Sequence, residues 1–470
     1  MDLPGLTHSA PTVQTNVVTL GSECEWRFEV GLDETVTVKI LRGNAEIFGT
    51  ELAVQQVYNF TGTKLSIFTW RGCSLEWSGT VLAEYTSDES TMSSYANLHF
   101  ALEKLRVQAG ETDTLYQQLM RDGRVSAPNP STPQQEGEGP KVLVIGPRGS
   151  GKTSLAKILT AYAVKMGRTP IVASIDPKEP MLSLPGTLSA ASFFSMLDVE
   201  EDNTWGSSST TGPMHIPPKN PIVYYFGSDS PVDNLRFYKS LLSRLSLAVS
   251  SRLASDHKAR VSGTIIDAAG IIDQANGYDL IDSIISEFSV NVVVTIGSER
   301  LYNDLLKRFQ SRRQIAVIKV QRSGGVVEHD AAYTRAIQQR LFKQYFYGTQ
   351  KTTLSAFTVT ADLASVVVYR RSEHSNLLSS SVLPVGSDAT TTLPPLISKL
   401  EVLPGLQNSI LALLFATPRD NESDVAESSV MGFVHLLDVD ETKRKVRILM
   451  PIKTRITQQV FLAGQYYYLE

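Results

Sequence analysis

Lys141-Val-Leu-Val-Ile-Gly-Pro-Arg-Gly-Ser-Gly-Lys-Thr-Ser154 is the stretch from which the rest of the chain is read. Its apolar run over 142–145 has the character of a fully buried parallel strand. Gly146-x-x-x-x-Gly151-Lys152-Thr153 follows, and Ser154-Leu-Ala-Lys-Ile-Leu159 continues with helical periodicity. Strand, glycine loop and helix in that order are the context in which this pattern makes a phosphate-binding loop. The glycines let successive N–H groups turn inward around a phosphate, and the helix N-terminus adds positive field. In that arrangement Lys152 reaches the β/γ-phosphates and the Thr153 hydroxyl ligates Mg2+. A chance glycine-rich turn is the alternative, and it leaves the flanking strand and helix unexplained. The stretch predicts binding of a purine nucleoside triphosphate.

At 470 residues the chain has room for about three domains. A net charge of -4 gives no global attraction to nucleic acid, so RNA contact would need a local basic patch. Cys24 and Cys73 are too few for a disulfide framework or a zinc site and suit a reducing compartment. No apolar run approaches the roughly 20 residues of a membrane span. The N-terminus lacks the charged-then-apolar pattern of a signal peptide. The expectation is a soluble intracellular protein with no membrane contact.

Three regions follow from the patterning. Over 1–125, residues 1–20 read as a polar arm. Glu25-Trp-Arg-Phe-Glu-Val30, Thr35-Val-Thr-Val-Lys-Ile40 and Lys64-Leu-Ser-Ile-Phe-Thr-Trp70 then alternate in the manner of strands, with turn signals at Gly31, Gly43, Gly62 and Gly72. A small antiparallel sandwich or barrel is expected, then a helix from Tyr95 to about Gln118 with Leu98, Leu102 and Leu105 on one side. Residues 126–139 form a proline- and glycine-rich linker. Over 140–347, apolar runs near 170–176, 221–227, 263–267, 290–296 and 315–320 alternate with helices, predicting a parallel sheet covered on both faces. A mostly β region fills 348–470.

Ligands of such α/β sheets lie at the carboxyl ends of the strands, which puts Asp176 and Asp267 on the rim shared with the phosphate loop. A carboxylate there is needed to hold Mg2+. Asp267-Ala-Ala-Gly270 has the D-x-x-G form, and Asp176 is the second candidate, able in a kinase to orient an attacking hydroxyl. Either acid can instead cap the next helix, and spacing alone does not divide the roles. Arg300, Lys307, Arg308, Arg312, Arg313, Lys319 and Arg322 form a basic cluster: a helical lid over phosphate or an RNA end, or a solvated helix face. Trp205, in a Ser/Thr-rich loop, can pack at a junction or stack on a base.

Several stretches resemble the eukaryotic cleavage and polyadenylation factor family that also contains the polyribonucleotide 5′-hydroxyl kinases. They are Ala45-Glu-Ile-Phe-Gly-Thr-Glu-Leu52, the phosphate loop, Glu299-Arg-Leu-Tyr-Asn-Asp304, Ser323-Gly-Gly-Val-Val-Glu328, Tyr345-Phe-Tyr-Gly348 and Gly432-Phe-Val-His. The resemblance implies ATP and Mg2+ held by Gly149, Ser150, Gly151, Lys152, Thr153 and Ser154. It adds Glu25 and Lys64 from the N-terminal β domain, and matches Asp176 to the family's catalytic-site aspartate. Metal ligation would then fall to Thr153, Asp176 and Asp267. Animal members that phosphorylate RNA resemble Asp-Val-Gly-Gln where this chain has Asp176-Pro-Lys-Glu-Pro180, and carry a tryptophan where it has Ile271. Fungal members look like this one. The branch implies an ATP-binding structural subunit of the nuclear mRNA 3′-end cleavage and polyadenylation complex, cleavage factor IA, required for pre-mRNA cleavage and without efficient turnover. Its implied partners are a scaffold subunit that binds RNA polymerase II, other 3′-end processing subunits and RNA. The alternative is a polynucleotide 5′-hydroxyl kinase moving the γ-phosphate to RNA 5′ ends, with Asp176 catalytic.

Overall fold

Alternation of apolar and polar residues drives the first part of the chain into two antiparallel sheets. The computed structural model describes residues 15–121, 137–195, 197–200, 220–270, 276–349, 353–372, 395–400, 404–453 and 459–469. Most of the expected linker, Trp205 and Ile271 lie outside the described residues. Two compact units emerge: Met1–Ser93 with Ser323–Gly325, and Ser94–Arg322 with Val326–Glu470.

In the first unit one sheet orders Thr15–Leu20, Cys73–Gly79, Thr35–Gly43 and Val57–Thr61. The other orders Thr50–Leu52, Ala45–Ile47, Lys64–Thr69, Cys24–Glu29 and Ala83–Ser87. This is a β-sandwich. Trp26 stacks on Phe28 at 4.4 Å between ring centroids and tilts against Trp77 of the other sheet at 5.7 Å. Such aromatic pairs add specificity to the area they bury. Thr15–Leu20 corrects the expected polar arm: it pairs along Cys73–Gly79, with Val18 and Leu20 less exposed than Val17 and Thr19. The alternation was short and set among polar residues.

Helix α1 (Met92–Arg121) lies almost wholly in the second unit. Leu98 and Leu102 are buried as expected, but Leu105 is 39% exposed and Arg106 takes the inward place. Stepping by four residues from Leu102 selects position 106, and the arginine is tolerated because its donors are met. Its Nε donates to Ser262 O at 3.0 Å, and Glu103 Oε2 lies 3.4 Å from its terminal nitrogen. Glu103 also accepts from Arg168 Nε at 2.7 Å, and Asp113 accepts from Arg260 at 2.7 Å. His99, two turns before Arg106, is buried against Tyr162, and its Nδ1 has no hydrogen-bond partner among the described residues. Burial, and then the Arg106 charge, push its pKa down to about 4. The unfolded chain therefore takes up a proton near pH 6.5 that the folded chain refuses until about pH 4. Stability is lost as pH falls across that window, by about 3 kcal/mol at its lower end. His99→Leu is expected to flatten the loss, read as urea midpoints at pH 7 and pH 5.

The remaining strands and helices of the centre alternate. A seven-stranded sheet orders Ile222–Tyr225, Thr187–Ser192, Ile171–Ser174, Thr264–Asp267, Lys141–Ile145, Val292–Ile296 and Ala316–Val320. The last five run parallel, as the valine- and isoleucine-rich runs predicted. Thr187–Ser192 is antiparallel to both its neighbours, which makes the sheet mixed and corrects the all-parallel expectation. Its sequence, Thr-Leu-Ser-Ala-Ala-Ser, is buried on both faces yet too small and polar to advertise a strand. Around the sheet lie α2 (Lys152–Lys165), α3 (Leu235–Ser255), α4 (His257–Ser262), α5 (Gly277–Phe288), α6 (Glu299–Phe309) and α7 (Ala331–Tyr347).

The C-terminal region is a second seven-stranded sheet: Phe357–Asp362, Lys445–Met450, Val430–Asp440, Ser409–Leu414, Gln459–Tyr467, Val366–Arg371 and Ile397–Leu400. Phe342 and Phe346 of α7 share one hydrophobic cluster with Ile410, Phe433 and Tyr466 of this sheet and Phe226 and Phe237 of the centre. At the crossing of the two regions Gly186, Gly227 and Gly464 meet, and Gln465 N donates to Gly227 O at 2.9 Å. Asp229 beside them accepts from Tyr466 Oη at 2.7 Å and from Gln338 Nε2 at 3.2 Å. Among the described residues no helix is long and apolar enough to cross a membrane.

Candidate functional site

The strand Lys141–Ile145 ends centrally in its sheet, and the chain then turns over Gly149 and Gly151, at φ 61° and 87°, into α2. Only glycine adopts those angles at little cost, so the loop's path is set by composition. α2 begins with no side-chain cap and no acid in its first turn, leaving its leading N–H groups open to an anion. Lys152 Nζ donates to Pro147 O at 3.0 Å, inside the loop's own curve. The Ser150 hydroxyl is buried with no partner among the described residues. The path is that of a nucleotide-binding phosphate loop.

Asp267 ends the neighbouring parallel strand, and Thr153 Oγ1 donates to its Oδ2 at 2.7 Å. Its other oxygen, Oδ1, is buried without a partner among the described residues. Burial pushes the carboxyl up to about 7 against the opposing pull of Lys152 and Thr153. Gly270 then passes so close to the loop that a Cβ there would stand 2.8 Å from Arg148 Cα. Asp176 follows the adjacent strand Ile171–Ser174, its Oδ1 accepting from Lys178 N at 3.0 Å. Burial and the nearby Glu179 raise its pKa, with Lys152 pulling the other way. The geometry thus gives the Thr153 bond to Asp267, a distinction spacing could not make.

Mg2+ prefers hard oxygen donors, and the Thr153 hydroxyl with the half-satisfied Asp267 carboxylate fits that preference. Without a cation, an ionised Asp267 costs stability. Its folded pKa lies above the unfolded value, so stability is fullest below the unfolded pKa and falls as pH rises toward 7. Asp267→Asn is expected to raise the nucleotide-free protein's stability at pH 7 by roughly 2–3 kcal/mol, and to weaken Mg2+-dependent nucleotide binding. Paired melting and titration experiments check both signs.

A cover lies over the loop, and it is not α6: of the two readings open for the basic cluster, lid or solvated face, Lys307 and Arg308 on this helix take the second. α6 turns Leu301, Leu305 and Phe309 inward and packs beside the strand Ala316–Val320. Starting at the carboxyl end of Val292–Ile296, it carries Lys307 and Arg308 away from the rim. Arg308 Nε donates to Asp282 at 2.8 Å and Lys319 pairs with Glu299 at 2.9 Å. Segment 326–330 takes the place instead. A Cβ on Gly149 would stand 2.9 Å from Glu328 Cγ, and one on Gly151 3.1 Å from Val326 Cγ2.

In the first unit Glu25 and Lys64 lie on one face at opposite ends of the ladder joining Cys24–Glu29 to Lys64–Thr69. Glu25 Oε2 accepts from Arg27 Nε at 2.8 Å and from Ser66 Oγ at 3.0 Å, while Ser90 donates to Oε1. Lys64 pairs with Glu29 at 2.9 Å. Arg27 and Ser66 were overlooked, although residues two apart on a strand share a face.

Three family models match successive parts of the chain. One described as the mRNA cleavage and polyadenylation factor CLP1 P-loop covers residues 146–348. An N-terminal beta-sandwich domain of polyadenylation factor covers 19–109, and pre-mRNA cleavage complex II protein Clp1 covers 354–470. The chain is 42% identical to an mRNA cleavage and polyadenylation factor clp1 of Botryotinia fuckeliana, over 99% of this chain and 98% of the relative. It is 39% identical to the CLP1 of Phaeosphaeria nodorum, over 99% and 97%. Among solved structures it is similar to Clp1p in complex with Pcf11p (454–563): 28% identity, TM-score 0.82, 97% of this chain and 99% of that one. A second structure, matching equally, describes an extended Pcf11p–Clp1p interface and ATP loss in a point mutant. With a phosphate loop, a β-sandwich and a C-terminal β region each matched over its own span, the chain belongs to the Clp1 family of mRNA cleavage and polyadenylation factors.

Proposed function

We propose that this chain is an ATP-binding structural subunit of the nuclear machinery that cleaves and polyadenylates pre-mRNA. The observation that carries the nucleotide is the phosphate loop with Thr153 bonded to Asp267 and Lys152 folded into its curve. Bound Mg2+ would neutralise phosphate charge, held through Thr153 and Asp267, with Asp176 nearby on the rim. The loop amides of Gly149, Ser150 and Gly151 and the Lys152 ammonium orient the phosphates, and Ser154 extends the α2 N-terminus. We assign Glu25 and Lys64 to the nucleotide on the family resemblance. A scaffold protein of the Pcf11 kind is the proposed partner, because the similar solved Clp1p is seen with Pcf11p.

Nucleotide here serves as a structural ligand without efficient turnover. Asp176-Pro-Lys-Glu-Pro180 supports this, because two prolines and an Asp176–Lys178 backbone bond close the turn where a phosphate acceptor would be oriented. The test incubates the purified chain with γ-labelled ATP and a 5′-hydroxyl RNA oligonucleotide, and identifies the nucleotide left on the protein after denaturation. Intact ATP with unlabelled RNA is expected. Label on the RNA at useful turnover would replace this reading with the 5′-hydroxyl kinase, in which Asp176 is catalytic.

A further inference from the structure

Two side chains outside the phosphate loop meet across its cover. His329 Nδ1 lies 3.7 Å from Glu179 Oε1. His329 belongs to segment 326–330, and Glu179 to the turn that follows the Ile171–Ser174 strand. From this geometry we infer that Glu179 and His329 form a latch that keeps segment 326–330 closed over the phosphate loop and slows the escape of nucleotide. The inference rests on the nucleotide reading above.

The backbone that carries each partner is held by bonds of its own. On the turn side, Asp176 accepts from Lys178 N at 3.0 Å, Gly186 N donates to Pro177 O at 2.7 Å, and Met181 N donates to Ser174 Oγ at 3.0 Å. Pro177 and Pro180 bracket Glu179 and restrict the chain further. On the segment side, the His329 ring tilts against Tyr333 at 4.8 Å, and Asp330 caps α7 by accepting from Tyr333 N at 2.6 Å. The cations facing Glu179 are Lys178 on its own turn and Arg148 on the loop. With His329 as the leading influence, they hold its carboxyl below the usual carboxylate range. With the backbone on both sides already held, only side-chain rotamer freedom is lost when the pair forms, so the contact still contributes to closure.

Its contribution is bounded by exposure. The side chains of His329 and Glu179 are 36% and 46% exposed. Such a pair changes a rate by about threefold. The other tethers of the segment, Val326 on Gly151 and Glu328 beside Arg322 at 3.9 Å, lie on the loop side and remain when the latch is removed.

The test uses the full chain loaded with Mg2+ and a fluorescent N-methylanthraniloyl ATP, chased with unlabelled ATP. His329→Ala and Glu179→Ala are each expected to speed dissociation about threefold, and the double variant no further. Singles that dissociate as slowly as the unaltered chain overturn the latch. So does a double variant near the ninefold product expected of independent sites. Lys152→Ala separates the two ideas: if it releases nucleotide quickly while the latch variants do not, only the latch falls. If Lys152→Ala too retains its nucleotide, the nucleotide reading itself falls.

Discussion

Lys152→Ala is expected to abolish nucleotide retention while leaving the nucleotide-free fold intact. The ammonium is buried within the loop, and it donates to Pro147 O at 3.0 Å, the loop's own backbone. Truncation removes a positive charge from a site otherwise held by neutral amides, opposite the carboxylates of Asp176 and Asp267. A ligand that binds only the folded form stabilises it by about 4 kcal/mol at a thousandfold excess over Kd. The unaltered chain should therefore melt well above its nucleotide-free form at millimolar Mg·ATP, and the variant should show no such gap. Equal gaps in the two proteins would remove Lys152 from the site.

Gly464→Ala is expected to lower stability by about 3 kcal/mol or more, with and without nucleotide alike. Its Cβ would stand 2.7 Å from both Gly227 Cα and Gly227 O, and would also meet the Tyr225 hydroxyl. None of these neighbours can withdraw. Gly227 is held at φ 74°, its N donates to Gly186 O and its O accepts from Gln465 N, both at 2.9 Å. Tyr225 is 1% exposed and its ring lies against Phe433. Urea midpoints read the loss, and an unchanged midpoint would mean the crossing has slack that the packing does not show. The two variants are diagnostic together, since one loses only the ligand-dependent stability and the other the ligand-independent part.

The phosphate loop and the parallel strands were legible because their signals are local: a glycine spacing and runs of buried valine and isoleucine. Asp267 was visible for the same reason, standing at the end of such a run. What stayed hidden depends on residues far apart in sequence. The Thr153–Asp267 bond joins positions separated by 114 residues, and the Glu179–His329 pair joins two turns with no pattern in common. Thr187–Ser192 escaped because small and hydroxylated residues in a strand buried on both faces look like a loop. Arg106 is hidden because apolarity alone favours Leu105 beside it, and only the Glu103, Arg168 and Ser262 partners make a charged residue acceptable inside.

The placement of α1 bears on how the gene could be divided or recombined. A fragment starting at residue 140 would keep every loop residue yet expose the floor where Arg106, His99 and Asp113 now rest. Arg260 and the Ser262 carbonyl would then be without their α1 partners. One starting before Met92 would carry its own lining. The natural seam for exchanging the β-sandwich between relatives therefore runs ahead of the helix, and grafts made behind it should arrive insoluble.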